Sequence, residues 1–162
     1  MSNTQALQRP VLWIHGEALG PANPALVAWP AQPAVFVFDT ALIKGAGPMA
    51  HHSLSLKRLG FLYECLLELP VTLRRGDVAA EVLAFARRHD ADGVVTSAAV
   101  DPRFSAIAAT ISAALPLLVL PVEPFVELES GDLRRFSRYW RRAEPLVWQR
   151  WGGLNSQAQP GD

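Results

Sequence analysis

His15 and Glu17 close the stretch "VLWIHGE", an imidazole and a carboxylate two residues apart at the end of an apolar run. Such a pair can hold or move a proton, or hydrogen-bond a bound molecule. Asp39 ends a second apolar run, "AVFVFD", where its carboxylate could meet a ribose hydroxyl or a ring nitrogen. Lys44 in "IKGAG" could hold a phosphate, helped by the amides of a glycine-rich loop. Thr96 and Ser97 end "GVVTS" and offer hydroxyls, while Asp101 and Arg103 in "VDPR" offer an acceptor and a phosphate-pairing cation. Each residue also has a local reading. His15 can bond nearby backbone, Glu17 and Arg103 can be solvated charges, and Lys44 a flexible loop cation. Asp39 can bond its own loop amides, Thr96 and Ser97 can cap the following turn, and Asp101 can cap a helix that starts at Pro102.

No complete catalytic set accompanies these residues. A His-Gly stretch in the oxyanion hole of an α/β-hydrolase needs a Gly-x-Ser-x-Gly nucleophile elbow, and none follows. The His-x-Gly-His, Gly-x-x-x-x-Gly-Lys-Ser/Thr and Gly-x-Gly-x-x-Gly signatures are absent too. His51-His52 has neither metal-ligand spacing nor a nearby partner, so no metal is expected. Cys65, among Leu62, Leu66 and Leu69, reads as a small core residue.

Five β-rich runs must position these groups: Val11 to His15, Ala34 to Asp39, Val71 to Arg74, Gly93 to Ser97 and Leu117 to Leu120. Continuous apolar runs suit a parallel sheet covered on both faces. Helical stretches lie between them: a short one after Asn23, one within Ser53 to Leu69, one from Asp77 to Arg88, and one from about Pro102 to Ala114. Asn23-Pro24 and Gly76-Asp77 are helix starts. Alternation of this kind predicts a Rossmann-like, doubly wound five-stranded parallel α/β sheet, with helices on both faces. Residues 1–121 form this domain. Residues 122–151 read as a linker and a C-terminal helix rich in arginine and aromatics, with Leu133, Phe136 and Trp140 at helical spacing and Pro145 interrupting. That helix is expected to lay Phe136, Trp140 and Trp148 on the body. Residues 152–162 read as a disordered tail.

The 162 residues are half hydrophobic and carry no net charge, which gives ample core and no field to attract nucleic acid or an anionic membrane. One cysteine suits a reducing compartment. The polar N-terminus lacks signal-peptide character, and no run approaches the roughly 20 apolar residues of a membrane helix. A cytoplasmic protein is expected.

Several motifs in order resemble the amino-terminal α/β domain of the DNA photolyase/cryptochrome family. Trp13-Ile14-His15, Glu17-Ala18-Leu19 and Ala22-Asn23-Pro24-Ala25-Leu26 stand where that family reads Trp-Phe-Arg, Asp-Leu-Arg and Asp-Asn-Pro-Ala-Leu. "VFVFDT", "RLGFLYECLLEL", "RRGDVAAEVL" and "VVTSAAVDPR" resemble its following elements. The resemblance implies strand order 3-2-1-4-5, with a switch point between strands one and four bordered by His15 to Pro21, Asp39 to Gly47 and Thr96 to Arg103. In many members this edge holds an antenna chromophore, a flavin or deazaflavin nucleotide. Here it implies ligand contacts from His15, Asp39, Lys44, Thr96, Ser97, Asp101 and Arg103. A pocket is expected to be bordered by His15, Asp39 and Ser97, with Lys44 and Arg103 on movable loops at its rim. Departures are the family arginines replaced by His15 and Leu19, the Asp replaced by Ala22, and an Arg-Asp pair replaced by Ile107 and Ala108. The sequence stops where the family's helical domain would begin, so neither catalytic FAD nor DNA repair is expected of the chain itself. A photolyase-related binding module for a small nucleotide-like ligand is the leading expectation. The alternative is an interaction subunit that docks a separate flavin-domain protein or a second copy through its aromatic tail; nucleic acid is not an expected partner of the chain alone.

Overall fold

Asn23 starts the first helix because its side-chain oxygen accepts from the amides of Ala25 (2.8 Å) and Leu26 (3.3 Å), while Pro24 suits the first turn. The same device recurs along the chain. Asp77 accepts from Ala80 N, Asp101 from Arg103 N and Ser55 from Arg58 N. A computed structural model describes residues 7–45, 53–128 and 135–157. In chain order the elements are β1 (Val11–Ile14), α1 (Pro24–Ala28), β2 (Ala34–Asp39), α2 (Thr40–Lys44), α3 (Leu56–Leu67), β3 (Val71–Gly76), α4 (Val78–Arg88), β4 (Val94–Ser97), α5 (Pro102–Ser112), β5 (Leu117–Leu120) and α6 (Phe136–Gln157).

All strand pairs are parallel and the order is β3-β2-β1-β4-β5, the expected Rossmann-like α/β fold. Central β1 is buried along its whole length. Alternation divides its side chains between two cores. Val11 and Trp13 join Val35, Val37 and Val94 beneath α4 and α5, packed on Val82, Phe85 and Ile111. Leu12 and Ile14 join Phe36 and Val95 on the opposite face, against Leu26 of α1 and Leu66 of α3. Full burial of each such side chain is worth about 1.5–3 kcal/mol. Covering both faces is what a parallel sheet requires.

Gly93 precedes β4 at a close approach. A Cβ there would overlap the Leu7 side chain and come 3.0 Å from the carbonyl oxygen of Pro116. That carbonyl is held by Val94 N at 2.8 Å and cannot easily retreat. Gly93→Ala is therefore expected to lower stability by about 1 kcal/mol, by overpacking, in urea unfolding; an unchanged midpoint would show that Leu7 simply moves away.

The chain divides into two compact units, Met1–Val122 and Glu123–Asp162. In the second, α6 runs through Pro145, which gives up one ladder bond without ending the helix, and continues past Gly152, where a tail was expected, to Gln157. Residues 158–162 and Leu133 lie outside the described residues. Phe136 and Trp148 are exposed and Trp140 is half-buried. Arg150 ties the start of this unit to α6 through Glu123 Oε1 (3.0 Å), the carbonyls of Pro124 and Phe125, and the face of the Phe125 ring.

Candidate functional site

The carboxyl ends of β1 and β2 open into a cleft of ≈ 430 Å³. Trp13, Phe38, Phe104 and Leu62 give it apolar walls; His15, Glu17, Asp39, Arg58, Asp101 and Arg103 bring the polar groups. Trp13 stacks on Phe104 with ring centroids 5.3 Å apart and planes 11° from parallel, and His15 meets both rings edge-on.

His15 faces inward. Its Nε2 lies 2.9 Å from Ser97 O and 3.0 Å from Ser97 Oγ, while Nδ1 accepts from Glu17 N at 3.4 Å. Acceptance at Nδ1 puts the proton of a neutral ring on Nε2, which donates to the Ser97 carbonyl. Both nitrogens are engaged by the protein, so the ring offers the cleft a wall. Ser97 is fully buried behind it and does not border the cleft, contrary to expectation. Thr96 is fully buried too, its hydroxyl donating to Trp13 O at 2.7 Å on the neighbouring strand, so neither hydroxyl is placed to meet a ligand in the cleft.

Asp39, Asp101 and Arg103 form one cluster. Arg103 donates through Nε and Nη2 to Asp101 (2.6 Å at the shortest) and through Nη1 to Asp39 Oδ2 at 3.0 Å. Asp39 Oδ1 accepts from Ala41 N and thereby caps α2. Hydrogen bonds from Arg103 hold the Asp101 carboxyl below its ordinary range, against the opposing effect of partial burial. Arg103 sits in the first turn of α5 with its guanidinium fork filled, rather than on a movable loop.

Lys44 is likewise not on a loop. The Asp39 cap winds Thr40–Lys44 into a helical turn, Gly45 ends it at φ 60, and Lys44 is exposed and apart from the cleft. The remainder of the expected glycine-rich loop, and His51-His52, lie outside the described residues.

Two residues take on roles that local sequence did not mark. Glu17, expected as a solvated charge, accepts from Val100 N and Asp101 N at 2.7 Å each, and so fastens the loop after β1 to the loop after β4. Arg58 of α3 lines the cleft over the Phe61 ring, with no ion pair among the described residues. Cys65 is a half-buried free thiol. Among the described residues no group of three His, Cys, Asp or Glu is arranged to hold a metal, and no helix is long and apolar enough to cross a membrane.

No family model matches the sequence, and no curated protein matches it. Among solved structures the chain is similar to a bacterial class III photolyase from Agrobacterium tumefaciens, at 22% identity and TM-score 0.56 over 89% of this chain. It spans 33% of that protein's length. A weaker likeness, 11% identity and TM-score 0.41 over 72% of this chain and 98% of the other, is to the universal stress protein from Archaeoglobus fulgidus in complex with dAMP. The fold is photolyase-like.

Proposed function

We propose that the chain is a binding module for a flavin- or nucleotide-like molecule, held in the cleft at the carboxyl edge of β1 and β2. The observation that carries this reading is the pairing of aromatic walls with one uncommitted cation. Trp13, Phe38 and Phe104 suit a flat heteroaromatic ring, and the cleft volume lies within the span of small-ligand sites. Arg103 has its charge satisfied by two carboxylates, which leaves Arg58 as the phosphate partner. Asp39 and Asp101 keep lone pairs for ribose or ribityl hydroxyls. The antenna-type nucleotide that the family resemblance implies would occupy this same edge. The alternative, an interaction subunit, draws on the exposure of Phe136, Trp148 and Trp151 along α6.

Titration with FMN, riboflavin and AMP, followed by flavin and tryptophan fluorescence, tests the proposal. FMN is expected to bind. Arg58→Ala should weaken it by about tenfold or more, as loss of a charged hydrogen bond does, and should leave riboflavin, which has no phosphate, unaffected. Lys44→Ala should change nothing. Failure of all three compounds to bind at millimolar concentration would sink the reading and leave the α6 alternative standing.

A further inference from the structure

We propose that the outward face of α3 is the contact surface of a homodimer, in which two copies pack α3 against α3 in antiparallel orientation about Gly60 and Tyr63. The helix is apolar on two sides. Leu62 and Leu66 point into the domain and are buried. Leu56, Gly60, Tyr63 and Leu67 recur at four, three and four residues and so share another face. That face is bare: Leu56 is 85% exposed, Tyr63 49% and Leu67 63%, and nothing lies within 4 Å of the position a Cβ would take on Gly60. An amphipathic surface helix is expected to be polar there.

The stripe is self-complementary. Leu56 and Leu67 are symmetric about the midpoint between Phe61 and Leu62, and so are Gly60 and Tyr63. A two-fold axis through that point sets leucine against leucine at both ends and seats the Tyr63 ring of each copy over Gly60 of the other. The absence of a side chain at Gly60 lets the backbones approach. This is what an isologous interface requires, since each residue must meet its symmetric counterpart. Beside the stripe a groove of ≈ 460 Å³, bounded by Ile43, Phe38 and Arg75, gives the incoming aromatic and leucine side chains a place to settle.

Charge fixes the orientation. Lys57, Glu64 and Glu68 share the flank beside the stripe, at spacings of seven and four, and all three are exposed. Antiparallel pairing brings Lys57 of one copy to the Glu64–Glu68 end of the other. Two-fold parallel pairing would carry this flank of the two copies to opposite sides and leave the same charges without partners.

Sedimentation of the full chain should give twice its 17.7 kDa. Tyr63→Glu, with circular dichroism confirming an intact fold, should raise the dimer dissociation constant by roughly thirtyfold or more, as loss of a central aromatic anchor does. Lys57→Glu alone and Glu64→Lys with Glu68→Lys alone should each weaken the dimer, whereas an equimolar mixture of the two variants should restore it as a heterodimer. Only pairs between copies produce that rescue. Four results would each overturn the proposal: a monomer at every concentration, a dimer indifferent to Tyr63→Glu, a dimer dispersed by Trp148→Ala with Trp151→Ala alone, or a mixture that stays monomeric.

Discussion

Trp13→Ala is expected to lower the free energy of unfolding by about 3–5 kcal/mol, a large share of the roughly 5–15 kcal/mol of an ordinary domain. Trp13 sits mid-strand in β1, 3% exposed, with β2 on one side and β4 on the other. Its ring fills the space between the sheet and Phe104 and braces His15 edge-on. Removing it leaves a cavity that strands cannot close, because β1 is held by ladders on both edges. The Thr96 hydroxyl bonds the Trp13 carbonyl, so that bond survives the substitution and the loss isolates packing. Urea unfolding measures the effect, with Trp13→Phe as the control expected to cost less than half as much. A loss under about 1 kcal/mol would show that Phe104 and His15 collapse into the space. In the folded fraction FMN binding should fall as well, since the same ring forms a wall of the proposed site.

What the sequence reveals here is what is local. Strand runs, the Asn23 and Asp77 caps and the alternation of strand with helix are set by neighbouring residues, and each lies within a residue or two of its expected place. The strand order came from the family resemblance, since alternating apolar runs do not say which strand neighbours which. α2 was missed because a turn of five residues carries almost no periodicity; its one signal, Asp39 ahead of Thr40-Ala41, suits a loop equally well. Site contacts were hidden by distance along the chain. Glu17 reaches amides 83 and 84 residues away, and Arg103 reaches Asp39 across 64. No spacing rule encodes such pairs. Arg58 reaches the cleft through the packing of α3 near the end of β1, which its own neighbours in sequence do not encode. Lys44 erred in the opposite direction: a lysine beside glycines suggests a phosphate loop, yet the capped helix carries it away from the cleft.

Arg103→Gln should cost about 2 kcal/mol near neutral pH, and the cost should shrink in acid. Arg103 joins the loop after β2 to the start of α5 by bonding Asp39 and Asp101 together. Glutamine keeps much of the stem and cannot span both carboxylates, so two acceptors lose a charged donor at once. About a quarter of the Arg103 side chain remains exposed at 26%, and solvent screening keeps the cost well below that of a buried ion pair. The pH dependence follows from Asp101. Its folded carboxyl titrates below the ordinary 3.8, chiefly because Arg103 hydrogen-bonds the charged form. A group depressed in this direction adds stability above its unfolded pKa, and that stability is lost as pH falls through the lower folded value. Wild type should therefore lose this increment below pH 3.8, while Arg103→Gln, which keeps only the share owed to the residue 103 backbone amide and to His15, should lose less over the same interval. Melting temperatures of the two proteins, measured from neutral pH down past that value, should converge. A gap that stays constant, or widens in acid, would mean that Arg103 stabilises the fold by packing its stem, and that its two carboxylates are bystanders.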